Sequence, residues 1–327
     1  MNSVERMVKA LEVHQGSPIV DGFHQGSNDR FSERVIDMLS NPVLIRGDAV
    51  SAYRDPAAVI EGGICHLFFT YVDNRPGGPW LYLAEKKSRN LENWSDIRIL
   101  TPRDKSLNYS SPGNIVRDGN DWVICFQTYC RENGEKYGNS RCRLYTMRSL
   151  DLNTWSEPEL LRVKGNDVKP QDMGRMIDPY LLRAGNEWWC FYKQNGVSFS
   201  RSPDLATWTY MGHAQAGENA CVVAYNGGYR MFSSPENGIR VMDSRDLVNW
   251  RQSMDDLTLG QAEWDWAKGR LTAGFVMENE KGFGNLPHWI MFFHASRYPE
   301  TIEFDSYASI AIVYSDDLMT WHWPRKA

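Results

Sequence analysis

The sequence has no basic run and no stripe of Lys and Arg. Its 36 basic and 41 acidic side chains leave a net charge of only −5. Nucleic acid is therefore a poor partner. No apolar run is long enough for a membrane-spanning helix, and Met1-Asn2-Ser3-Val4-Glu5-Arg6 is too polar to open a secretory leader. The expectation is a cytoplasmic chain. No Cys-x-x-Cys pair occurs among Cys65, Cys125, Cys130, Cys142, Cys190 and Cys221, which argues against a zinc site. Four of them (Cys65, Cys125, Cys190, Cys221) lie in or beside apolar, strand-like runs. The six read as buried, reduced thiols, with one inter-strand disulfide left open.

What the sequence does have is aromatic residues, 13% of the chain, including 13 Trp. Flat rings suit sugar faces, but a repeat core that needs one Trp per unit explains five of them equally well. Those five end a recurring pattern, Ser-x-Asn/Asp-Leu-x-x-Trp. It runs Ser88 to Trp94, Ser149 to Trp155, Ser202 to Trp208, Ser244 to Trp250 and Ser315 to Trp321. Self-similarity at steps of a few tens of residues signals a solenoid or a propeller. The Ser and Asn/Asp side chains suit tight turns, because they bond nearby backbone donors. Leu and Trp then fill the space beneath the connection from third to fourth strand, so no chemistry is placed on these tryptophans.

Each copy closes a unit of the same plan. In the first, Arg54-Asp55-Pro56 leads into Ala57–Ile60, a Glu61-Gly62-Gly63 turn, Ile64–Tyr71, Leu81–Ala84, the signature, and Ile97–Leu100. Gly-bearing turns between apolar runs are hairpin signals. The order returns with turns at 118–121, 184–186 and 226–228, and with a longer hairpin loop in the fifth unit. The sequence therefore predicts an all-β, five-bladed β-propeller of four antiparallel strands per blade. Blades start near residues 54, 111, 178, 218 and 270, and 1–327 form one domain. Residues 1–35 form an N-terminal arm, with helical spacing over 4–11 and a loop-like, solvated stretch over 21–29.

In a propeller the innermost strands converge on a central funnel. The residues at their entry ends are Arg54-Asp55-Pro56, Ser110-Ser111-Pro112-Gly113, Ile177-Asp178-Pro179, Gly217-Glu218-Asn219 and Gly269-Arg270-Leu271-Thr272. On this alignment three of five equivalent positions carry carboxylates and one carries Arg. Three carboxylates in one funnel repel one another, so at least one should have its pKa raised, as a general acid needs near neutrality. A second, ionised, can activate a water, and glycoside hydrolysis needs that pair. Pro after Asp55 and Asp178 is expected to hold the Asp backbone extended and so help aim each carboxylate. Taken singly, an Asp-Pro merely begins a strand; the three positions together favour the functional reading.

The Asp-Pro of blade one, Ile-Asp-Pro of blade three and Gly-Glu of blade four resemble glycoside hydrolase family 43 and its five-bladed relatives in families 32, 62, 68 and 117. The resemblance spans roughly residues 50–327. It implies an inverting glycosidase acting on arabinofuranosides or xylosides, with Asp55 as general base, Glu218 as general acid and Asp178 tuning and orienting that acid. Arg54 would hold a carboxylate or a sugar hydroxyl, and Arg270 would bond the reacting sugar or restrain Asp178. The family often has a His near the axis in blade five, associated with a central ion or water. Here the entry position is Arg270, while His288 and His294 fall in the second strand, so no cofactor is expected and a structural calcium is doubtful. Blade two also departs, since Ser111-Pro112-Gly113-Asn114 carries no carboxylate. Arg-Asp-Pro resembles a motif of families 32 and 68 as well. Their Asn-Asp-Pro-Asn nucleophile motif is absent, and Asn28-Asp29-Arg30-Phe31 matches it poorly.

Further substrate-binding candidates are Trp80, Tyr109, Ser111, Trp264, Trp266 and His294. Trp80 and the Trp264/Trp266 pair either stack on sugar or pack loops. Tyr109 either lines the funnel or lies beside it, and His294 reads as a core histidine or a site residue. The expected partner is an oligosaccharide or glycoside. The alternatives are a non-catalytic sugar-binding propeller, a retaining fructan-cleaving hydrolase, and a protein-interaction scaffold, which would have no charged cluster in its funnel. Loops near 72–80, 131–141 and 278–287 should set the substrate.

Overall fold

A computed structural model describes residues 34–325. The expected arm over 1–35, with its helix, lies outside the described residues except for its last two. The described chain forms five four-stranded antiparallel sheets. Blade one is β2 (Ser51–Glu61), β3 (Ile64–Asp73), β4 (Trp80–Ser88) and β5 (Arg98–Ile99). Blade two is β6 (Tyr109–Asp118), β7 (Asp121–Thr128), β8 (Leu144–Ser149) and β9 (Glu159–Leu160). Blade three is β10 (Ile177–Ala184), β11 (Glu187–Lys193), β12 (Val197–Ser202) and β13 (Thr209–Ala214). Blade four is β14 (Glu218–Tyr225), β15 (Gly228–Ser234), β16 (Arg240–Ser244) and β17 (Arg251–Gln252). Blade five is β18 (Leu271–Glu278), β19 (Trp289–Ser296), β20 (Ala308–Ser315) and, as its outer strand, β1 (Val43–Ile45). The five-bladed propeller expected from the repeats is the fold.

The ring closes through β1, which lies before blade one in sequence yet pairs antiparallel with β20 of blade five, Val43 opposite Ala311. The repeat pattern gave no sign of this strand. One short helix, α1 (Val35–Met38), buries Val35 and Ile36. No helix among the described residues is long and apolar enough to cross a membrane.

Turn chemistry fixes the inner hairpins. Gly62-Gly63 and Asn226-Gly227 have positive φ at both positions, the geometry that matches the twist of a two-residue hairpin. The signatures behave as expected locally. In blade one Ser88 Oγ accepts the backbone N–H of Asn90 and Leu91, and Asn90 Oδ1 accepts those of Glu92 and Asn93. Trp94 Nε1 donates to Leu91 O at 2.9 Å. The tryptophans also reach further than their own turns. Trp155 meets Phe68 of blade one edge-on, Trp250 meets Phe191 of blade three, and Trp321 meets Phe232 of blade four. These three rings fasten blades two, four and five each to the blade before it. All six cysteines are buried and free, as the sequence suggested.

Candidate active site

Every innermost strand breaks its register near the entry end, and at the break one residue takes a left-handed backbone. These residues are Asp55 (φ 49°), Ser111 (50°), Asp178 (52°), Asn219 (51°) and Ala273 (54°). Two of the sequence-based expectations need correction. First, Pro56 and Pro179 do not hold Asp55 and Asp178 extended; the bulge overrides that preference. Second, the entry positions align differently. The bulge row contains two carboxylates, Asp55 and Asp178. Glu218 belongs one residue earlier, in the row of Arg54, Ser110, Ile177 and Thr272, and Arg270 lies two residues before Thr272. The bulge lets neighbouring positions both reach the axis, so all of these except Ser111, Ala273 and the buried backbone around them still line one cavity.

Left-handed non-glycine residues are strained by about 1–3 kcal/mol and persist only where the surroundings hold them. Here the neighbouring blade does so. The Ser111 N–H donates to Thr70 Oγ1 at 2.7 Å, and that of Asp178 to Gln127 Oε1. The N–H of Ala273 donates to Ser234 Oγ at 2.8 Å, and that of Asp55 to His294 Nδ1 at 3.0 Å. Thr70, Gln127, Ser234 and His294 occupy matching places at the ends of the second strands. His294 is thus one member of a ring of backbone clamps. Burial, then Arg54 and Arg270, push its pKa well below the usual value, so it stays neutral and keeps Nδ1 free to accept.

The cavity above the bulges has a volume of about 510 Å³. Asp55, Asp178 and Glu218 line it from blades one, three and four. Thr70 Oγ1 donates to Asp55 Oδ2 at 2.8 Å, and Ser111 Oγ donates to Asp178 Oδ1 at 2.7 Å. A hydrogen-bonded path therefore runs from Asp55 through Thr70 and Ser111 to Asp178. Burial raises the Asp55 carboxyl, opposed by Arg54 and Thr70. Burial, then the charges of Glu218 and Asp55, push Asp178 up to about 7. Glu218 is more open to solvent and accepts from Arg270 Nη2 at 2.8 Å. Glu300 joins the two arginines, meeting Arg54 Nη2 at 2.8 Å and Arg270 Nη1 at 3.6 Å. Arg54 also lies over the Phe304 ring.

Of the other sequence candidates, Ser111 lies just beneath, at a small cavity of about 20 Å³ on the axis. Four lie elsewhere. Trp80 carries Arg103 and Lys105 on its ring and does not line the cavity. Tyr109 is buried in the core against Phe126 and Tyr145. Trp264 and Trp266 stack on each other and on Phe293, which is loop packing. Sequence reasoning missed Thr70, Gln127, Tyr129, Tyr137, Arg175, Glu300, Phe304 and Asp305. Of the three loops expected to set the substrate, 131–141 supplies Tyr137 and Gly138, 72–80 supplies only Val72, and 278–287 does not line the cavity. No group of three or more His, Cys, Asp or Glu side chains among the described residues could hold a metal ion.

No protein-family profile and no curated protein matches the chain. Solved structures do. An exo-1,5-alpha-L-arabinanase from a bovine ruminal metagenomic library aligns with TM-score 0.55 at 14% identity, over 82% of this chain and 94% of its own. The catalytic domain of a Coprinopsis cinerea GH62 alpha-L-arabinofuranosidase aligns with TM-score 0.60 at 11% identity, over 84% and 95%. An alpha-L-arabinofuranosidase from Podospora anserina, in complex with cellotriose, aligns with TM-score 0.60 at 12% identity, over 86% and 97%. The chain thus has the five-bladed propeller fold of these arabinan- and arabinofuranoside-directed enzymes.

Proposed function

We propose that this chain is a glycoside hydrolase that cleaves arabinofuranoside- or xyloside-type bonds by a single inverting displacement. The observation that carries the reading is the meeting of Asp55, Asp178 and Glu218, from three blades, in one cavity. Similarity of fold to structures of arabinanase and arabinofuranosidases supports the same substrate class.

In this reading Glu218, the most accessible of the three, donates a proton to the leaving oxygen as the glycosidic C–O bond breaks. Asp55, held by Thr70 and by the His294 clamp on its backbone, takes a proton from the water that attacks the anomeric carbon from the opposite face. One water is consumed, and two hydroxyl-bearing products leave. Asp178 does not touch the reacting atoms; burial and then the charges of Glu218 and Asp55 hold its carboxyl raised beside the acid. Water and two carboxyl groups balance the reaction without a cofactor. Arg270, shared between Glu218 and Glu300, orients the acid, and Arg54, engaged with Glu300 and the Phe304 carbonyl, shapes the cavity wall beside Asp55.

A panel of 4-nitrophenyl furanosides and pyranosides tests the activity. NMR of the first-formed product should show the anomer opposite to that of the substrate. Retention would overturn the displacement. Unchanged turnover of an unactivated oligosaccharide in Glu218→Gln would remove that residue from the acid role, and binding without turnover across the panel would favour a sugar-binding propeller.

A further inference from the structure

Hairpin loops at the entry face differ from blade to blade. Those of blades three and four are the short connections 194–196 and 235–239, and neither lines the cavity. Those of blades two and five, 129–143 and 297–307, are long, and both line it. Blade one sits between blades two and five in the ring. The two long loops meet across it.

Their junction is built, not incidental. Arg131 is buried and clamps Asp305 with both fork nitrogens, at 2.7 and 3.0 Å. Its Nε donates to Glu135 O at 2.6 Å, which fixes the fork. Lys136 Nζ donates to Glu300 O at 2.6 Å, and Tyr137 packs edge-on against Phe304. Below, Arg54 Nη1 donates to Phe304 O at 3.1 Å, tying the junction to the residue beside Asp55. A two-pronged Arg–carboxylate pair with a buried guanidinium is geometrically specific. Such a span is a standing wall.

Cleavage inside a chain needs the chain to pass out of the site on both sides of the broken bond. Here the side above blade one is walled. We infer that the site is a dead-end pocket that takes the non-reducing terminal sugar and releases monosaccharides one at a time. The inference rests on the hydrolase reading and deepens it. The sugar whose anomeric carbon reacts fills the closed end, and the remaining chain leaves over the low rim of blades three and four.

The test uses linear arabino-oligosaccharides labelled at the reducing end. At low conversion the labelled products should form a ladder shortened one sugar at a time, with free monosaccharide as the partner product. Labelled fragments of intermediate length at the same stage would overturn the pocket. Arg131→Ala should loosen the wall and bring such fragments in; if it unfolds the protein, the wild-type ladder still decides. A binding arm separates this inference from the catalytic one. Glu218→Gln should bind the intact chain at least tenfold more tightly than a chain biotinylated on its non-reducing end. Equal binding would overturn the pocket whatever the turnover. End-selective binding without turnover in the wild type would sink the hydrolase reading and leave the pocket standing.

Discussion

Two sets of left-handed residues are each repeated five times in this ring. At the outer turns they are Leu91, Leu152, Leu205, Leu247 and Leu318, with φ between 59° and 64°. At the axis they are Asp55, Ser111, Asp178, Asn219 and Ala273. The outer set repeats its backbone and its side chain together, because each Leu packs the same kind of space beside the same Ser and Trp. The inner set repeats the backbone alone. Its side chains are freed from any common packing duty, since a neighbouring blade's hydrogen bond holds the bulge in four of the five cases. Where backbone and side chain recur together, the position serves the fold. Where only the backbone recurs, the side chain is available for chemistry.

The largest expected effect lies at the axis. Glu218→Gln or Asp55→Asn should lower kcat by roughly 10²–10⁴-fold, the usual worth of a positioned acid or base, with an unchanged circular dichroism spectrum. A normal kcat in either variant would break the division of labour. At the outer turns the opposite pattern is expected. Trp208→Ala empties a buried indole site and should cost about 3–5 kcal/mol in urea unfolding, with kcat per folded molecule intact.

Asp178 sharpens the contrast through pH. Its carboxyl is raised in the folded protein, so between about pH 4 and 7 the folded state holds a proton that the unfolded state has released. The stability this proton confers is complete below the unfolded pKa and is lost as pH rises through about 7. Asp178→Asn should therefore flatten the dependence of stability on pH in that window and make the protein relatively more stable at its upper end. An unaltered slope in thermal melts from pH 4 to 8 would contradict the raised carboxyl. The smallest effect should come from Ser244→Ala. It strips the acceptor from the N–H groups of Asp246 and Leu247 and should cost about 1–3 kcal/mol, again without a change in kcat.

The outer turns were readable in the chain because the Ser and Asn/Asp hydrogen bonds that shape them are local, within three residues. The number of blades followed from them. The axis was readable only in part. Asp55 and Asp178 stand out through the proline that follows, but Gly217-Glu218-Asn219 does not reveal which residue begins the bulge, so Glu218 was aligned one place too late. Thr70, Gln127 and His294 act on a strand of the next blade, and nothing in their own neighbourhood announces it. Glu300, Phe304 and Asp305 sit in a loop without a motif, and they are held by Arg54 and Arg131 from far along the chain. Trp80 and Tyr109 mislead for a related reason. Aromatic residues near an entry loop look alike in sequence whether they face a sugar or two cations and a core.

The strand that completes blade five comes from the opposite end of the described chain, with Val43 laid beside Ala311. During synthesis Val43 leaves the ribosome some 270 residues before its mate. Blades one to four can pair their strands as they emerge, yet the circle stays unlatched until the last blade is made. The carboxylates of blades one, three and four are already in hand by then, but the Glu300 that spans Arg54 and Arg270, and the His294 that pins Asp55, arrive only with blade five. The carboxylate cavity is therefore fully lined only once the strands that close the circle are also present.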